Sequence, residues 1–113
     1  LPQMHKAPTA AELALLDPDG TFAERLAGDR AAFAALAAAL DEADDDGALA
    51  DIQLLAHRLG GAAGTFGYAE VGEAALDLEE SIIALREGEG DSGVAAGHLA
   101  VLLATLDVAL RLK

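Results

Sequence analysis

Apolar residues recur at three- and four-residue steps in successive stretches of this 113-residue chain, and glycine, aspartate or proline closes the stretches. That spacing places the apolar side chains on one face of a helix and builds the fold from helices that must bury that face. Thr9 to Leu16 carries a short helical pattern, ended by Asp17-Pro18-Asp19-Gly20 as a turn. Thr21 is placed to cap a short helix from Phe22 to Leu26 that stops near Gly28. Asp29 then reads as the N-cap of a helix from Arg30 to Ala43, with Phe33, Leu36, Ala37 and Leu40 as its stripe.

The next helix is expected from Ala48 to Gly64, burying Leu49, Ile52, Ala56, Leu59 and Ala63, with Phe66 continuing the stripe into the connection. Tyr68 to Glu87 follows, burying Val71, Ala75, Leu78, Ile82 and Leu85. The last helix, capped by Asp91 or Ser92 and reaching Leu112, presents Val94, Leu99, Leu102, Leu106 and Leu110. Short connections make consecutive helices antiparallel neighbours. The expected fold is all-α: an antiparallel up-down four-helix bundle with short additional N-terminal helices. Residues 9–113 form one domain behind a flexible leader at 1–8.

Composition agrees and narrows the function. Twenty-eight alanines, many leucines and few aromatic or β-branched residues favour helix over sheet. A net charge of −13 sets nucleic acid and anionic membrane surfaces aside as partners. The chain has no cysteine, which removes disulfides, thiolate nucleophiles and cysteine metal sites and fits a reducing cytoplasm. No apolar run approaches the roughly 20 residues that span a bilayer, and no signal peptide is evident. A cytoplasmic monomer is the expected state. The acids at 44–46 lack a calcium-loop pattern and read as helix-capping residues.

One stretch departs from this economy. Gly60, Gly61 and Gly64 fall three, four and seven residues after His57, on one helix face with it. Each glycine in a helix interior costs about 0.8–1 kcal/mol relative to alanine, in a chain that uses alanine freely. The spacing points to clearance for something large beside the imidazole and the backbone next to it. In an antiparallel hairpin turning near Gly67 or Tyr68, position 57 matches position 79 in height, and position 79 is glutamate. Gly64 matches Gly72, which lets the two backbones approach. Leu76 and Leu78 are expected toward the core, Glu79 at its edge, and Gln53 beside His57 at the solvent margin.

A carboxylate accepting Nδ1–H fixes the imidazole tautomer and orientation and leaves Nε2 as the nucleophile. It also stabilises the positive charge that develops as Nε2 attacks. Motifs for Ser-His-Asp chemistry, phosphate loops and zinc are absent from the sequence, so no cofactor or metal of its own is expected.

The run His57-Arg58-Leu59-Gly60-Gly61-Ala62-Ala63-Gly64-Thr65-Phe66-Gly67, followed by Val71, Ala75, Leu78 and Glu79, resembles the histidine-containing phosphotransfer (HPt) domain of bacterial phosphorelays. That family places leucine or methionine two residues after its histidine and glycine four after it. A phenylalanine- or leucine-glycine pair follows near ten, and glutamate or glutamine near 22. The resemblance implies reversible phosphorylation of His57 on Nε2, room at Gly61 for an aspartate-bearing receiver, and orientation of the ring by Glu79. It implies a phosphoryl carrier without kinase activity, working with response-regulator receiver domains and a hybrid or chemotaxis-type histidine kinase. Mg²⁺ belongs to the receiver. Docking is expected on a small patch around His57, formed by Gln53, Leu54, Gly60, Gly61 and Gly64, with Leu55, Ala62 and Phe66 nearby.

The family usually carries lysine three residues after the histidine, where this chain has Gly60. Arg58 is the nearest cation in sequence, about 100° round the helix. It is expected to substitute in part for the lysine, with the receiver's own lysine and Mg²⁺ supplying the rest. Arg86 matches Ala50 in height, more than a turn from His57, and is set aside. Two alternative readings stand beside the relay carrier: a phosphoacceptor domain of a chemotaxis-type kinase, and a bundle that regulates a receiver by docking without phosphorylation.

Overall fold

The computed structural model describes residues 9–41 and 46–111. Five α-helices follow in order: α1 (Ala10–Leu16), α2 (Thr21–Leu36), α3 (Asp46–Ala63), α4 (Ala69–Arg86) and α5 (Ser92–Leu110). A 3₁₀ segment, Ala37–Asp41, extends α2. The leader at 1–8, the expected helix end at Ala43, the acids Asp44 and Asp45, and Leu112 lie outside the described residues.

α2 to α5 form an antiparallel up-down four-helix bundle, with α1 as the short N-terminal addition. α3 lies along α4, α4 along α5, and α5 along α2, which closes the ring against α3. The pairing of residues fixes the directions. His57 meets Glu79 across the α3–α4 hairpin. Ser81 and Ala84 on α4 share a cleft with His98 and Val94 on α5. Phe22 at the start of α2 stacks on Phe66, just past the end of α3, with ring centroids 4.2 Å apart. Tyr68 tilts against the same Phe22 ring. These aromatics lock the hairpin turn beside the glycine-bearing end of α3.

The core follows the helical stripes: Leu49, Ile52, Ala56 and Leu59 from α3, Val71, Ala75, Leu78 and Ile82 from α4, and Leu99, Leu102 and Leu106 from α5. Ala56 and Ala75 among these, with buried Ala63, Ala74 and Ala95, keep the helices close. The capping is local and specific. Thr9 and Glu12 form a reciprocal capping box on α1. Asp91 Oδ1 accepts from Gly93 N–H at 2.7 Å and opens α5. The α3–α4 turn needs glycine at 67, where φ is +89°.

Several expectations are corrected. Gly28 and Asp29 do not divide the second segment, because α2 runs unbroken through both. Phe22, Leu26 and Phe33 fall on one face and are buried together. Burying a large apolar side chain stabilises by about 1.5–3 kcal/mol, more than one helical glycine costs. Asp29 caps nothing; it pairs with Arg25 one turn earlier, at 3.5 Å. Burial nevertheless holds the Asp29 carboxyl above the ordinary carboxylate range, with Arg25 pulling the other way. Nor does Thr21 cap α2. The two carboxylate oxygens of Asp17 accept from Phe22 N–H and Ala23 N–H, both at 3.0 Å, from across the turn.

At the start of α5 Ala95 is buried in place of the expected Val94, which is exposed. Leu36, Ala37, Leu85 and Leu110 are only partly buried against the core. α5 also revises the reading that no segment approaches a membrane span. By length and composition alone its 19 residues would suffice to cross one. In the bundle its apolar face packs on α2 and α4.

Candidate functional site

His57 stands on the outer side of α3 with its side chain 68% exposed. Its Nδ1 lies 2.8 Å from Glu79 Oε2 on α4, and the Glu79 side chain is only 17% exposed. An ionised carboxylate only accepts, so the imidazole donates through Nδ1–H and its lone pair is on Nε2. The arrangement follows from neighbouring packing. Ala56 and Leu78, adjacent in sequence to the pair, are both fully buried. Each helix therefore holds its polar residue at the rim of the α3–α4 seam, where the acceptor is fixed and the ring meets solvent.

The glycines divide into two kinds. A Cβ at position 60 would stand 2.6 Å from Leu76 Cδ2 and 2.8 Å from its Cγ. Gly60 therefore turns toward α4, and Leu76 lies over it, half exposed instead of in the core as expected. Gly72 faces the same seam, where an added Cβ would come within 3.5 Å of Gly60 O and 3.8 Å of Gly64 N. Gly60 and Gly72 thus serve the close approach of the two backbones. At Gly61 and Gly64 an added Cβ would meet nothing within 4 Å. The side next to His57 is smooth and open there.

A shallow cleft of about 350 Å³ adjoins the imidazole, lined by Ala50, Gln53, Leu54, His57, Glu79 and Arg86. Gln53 and half-exposed Leu54 thus flank His57 on the side of the helix N-terminus, while Gly61 and Gly64 lie beyond it toward the turn. Leu55 and Ala62 are partly buried against the core. Phe66 is engaged in the stack with Phe22. Arg58 is exposed and does not line the cleft.

Arg86 is the member that sequence reasoning set aside. Its Nε and Nη2 donate to the two carboxylate oxygens of Asp46, at 2.9 and 3.2 Å, and its Nη1 donates to Gln53 Oε1 at 2.7 Å. The guanidinium bond holds the Asp46 carboxyl below the ordinary carboxylate range. Backbone height alone hid this, because a long side chain spans more than a turn. The available signal was the seven-residue step from Glu79 to Arg86, which puts both on one face of α4. Among the described residues no group of three or more acidic, histidine or cysteine side chains is placed to hold a metal ion.

A histidine exposed on a helix, with a half-buried carboxylate fixing its tautomer and bare backbone beside it, suits a nucleophile that a second protein must reach. The sequence comparison names the family that has this design. The model of the Hpt domain matches residues 20–111. The chain belongs to the Hpt domain family. Neither curated proteins nor solved structures return a match. Hpt domains are helical bundles that carry phosphoryl groups on histidine in two-component signalling, and they work with receiver domains and histidine kinases without being kinases. In this Hpt domain the match takes in all four helices of the bundle and both members of the His57–Glu79 pair.

Proposed function

We propose that this Hpt domain is a phosphorelay intermediate, phosphorylated on His57 by a receiver-domain aspartyl phosphate and emptied onto a second receiver. The observation that carries the reading is the exposed His57 ring with Nδ1 bonded to the half-buried Glu79. The Nε2 lone pair attacks phosphorus, the N–P bond forms, and the aspartyl P–O bond breaks to release the receiver's carboxylate. The ring becomes cationic while the Nδ1–H stays on Glu79, which supports that charge. Return of the phosphoryl group to an aspartate reverses each step.

Such transfer needs alignment and charge neutralisation more than covalent help. Alignment is the contribution of α3 and Glu79. The receiver contributes Mg²⁺ and its lysine. Gly61 and Gly64 give the receiver a flat approach, Gln53 and Leu54 form the other margin, and Gly60 keeps α4 close enough for Glu79 to reach the ring. Arg58 supplies a phosphoryl contact only by swinging across the helix. A contact of this kind buries a modest area, in keeping with a transient partnership.

Incubation with a phosphorylated receiver and Mg²⁺ tests the reading. Transfer of acid-labile label to this chain, followed by discharge onto a second receiver, is the expected result. Label acquired only from a kinase core would reassign the chain as a kinase phosphoacceptor domain. Receiver binding without label would make it a docking module.

A further inference from the structure

We propose that Arg86, held by Asp46 and Gln53, is the cation that binds the phosphoryl group on His57, in place of the lysine absent at position 60. The proposal rests on phosphorylation of His57 as argued above. Three observations carry it. Arg86 and His57 line one cleft, together with Gln53 and Glu79. Gln53, which receives the Arg86 Nη1 bond, lies one turn before His57 on the same face of α3. The four-residue step from Gln53 to His57 rises about 6 Å along α3, a span that the flexible arginine stem and a phosphoryl group on Nε2 can bridge together. The usual lysine position is also closed, since Leu76 occupies the space into which a side chain at 60 would grow.

The guanidinium has donors to spare. It carries five N–H groups, and three are committed to Asp46 Oδ1, Asp46 Oδ2 and Gln53 Oε1. The other two remain for phosphoryl oxygens. Asp46 and Gln53 fix the planar group, so that little further ordering is needed when the anion arrives. Arg58 has no such placement; it is exposed and outside the cleft.

Phosphoramidate, a small donor, tests this without a receiver. His57 Nε2 attacks phosphorus, the donor P–N bond breaks, and ammonia leaves. Phosphohistidine formation and decay are followed by ³¹P NMR in the wild type, Arg86→Gln, Arg86→Lys and His57→Gln, well below each melting temperature. Arg86→Gln is expected to shorten the phosphohistidine lifetime about three- to tenfold, the scale of one charge-assisted contact at an exposed site. Arg86→Lys should recover much of it, a pattern that lost fold stability would not give. Equal lifetimes in the wild type and Arg86→Gln, with His57 labelled in both, overturn the role of Arg86 and leave the carrier reading standing. No label on wild-type His57 overturns both.

Discussion

Substituting alanine for the glycines around His57 separates packing from docking. At Gly61 an added Cβ meets nothing within 4 Å. Gly61→Ala should therefore stabilise the bundle by about 0.5–1 kcal/mol through backbone entropy alone. At Gly60 the Cβ would stand 2.6 Å from Leu76 Cδ2. Overpacking of this kind costs about 1–3 kcal/mol, against a propensity gain of about 1 kcal/mol. Gly60→Ala should thus be neutral to destabilising, by up to about 2 kcal/mol. In a Leu76→Ala background the obstruction is gone, and the same change should stabilise by about 1 kcal/mol. Urea unfolding of the four proteins in that cycle gives the coupling directly. Function should run the other way. Gly61→Ala should slow transfer from a phosphorylated receiver about tenfold, equivalent to about 1.4 kcal/mol of lost contact, while phosphoramidate labels His57 at the wild-type rate. An equal effect of Gly60→Ala in both backgrounds would refute the packing argument. Undiminished receiver transfer in Gly61→Ala would refute the clearance argument.

Three further outcomes follow from single contacts. The Tyr68 hydroxyl is buried with no hydrogen-bond partner among the described residues, and burial pushes the phenol pKa up; Tyr68→Phe should raise stability by about 1 kcal/mol in urea unfolding. Glu79→Ala should slow receiver transfer about tenfold, roughly 1.4 kcal/mol in the barrier, with little change in melting temperature. Glu79→Gln, whose amide oxygen still accepts from Nδ1–H, should recover part of that rate. The Asp107 carboxyl is held below the ordinary carboxylate range by its bond to Arg30, as Asp46 is by Arg86. A depressed folded pKa stabilises above the unfolded value and is lost as pH falls through the folded one. Thermal melts should therefore lose stability below about pH 4, the ordinary aspartate range, and Asp107→Asn should flatten that loss.

The fold was legible because each long helix repeats its buried positions at helical steps, and most of the bundle core lies on those stripes. His57 and Glu79 were legible for a related reason. Antiparallel hairpins keep a fixed height relation, so a turn located near Gly67 places residue 79 beside residue 57. The misreadings arose where side chains or tertiary burial outweighed local signals. Gly28 and Asp29 carry stop and cap chemistry, but the burial of Leu26 and Phe33 on either side carries α2 through them. Leu76 has a core residue's chemistry, yet Gly60 gives it a shelf at the surface. Arg86 stands level with Ala50, as the hairpin heights require, and the two line one cleft; what backbone heights do not show is the reach of its guanidinium to Gln53 and Asp46 through a flexible stem.

The most direct test locates the phosphoryl group itself. The protein is incubated with a phosphorylated receiver and Mg²⁺, digested at alkaline pH, and sequenced by tandem mass spectrometry. One acid-labile phosphoryl group on His57, lost in His57→Gln while that variant keeps its helical content, is the result expected of a carrier. An unlabelled wild type, or label that survives His57→Gln, would contradict it.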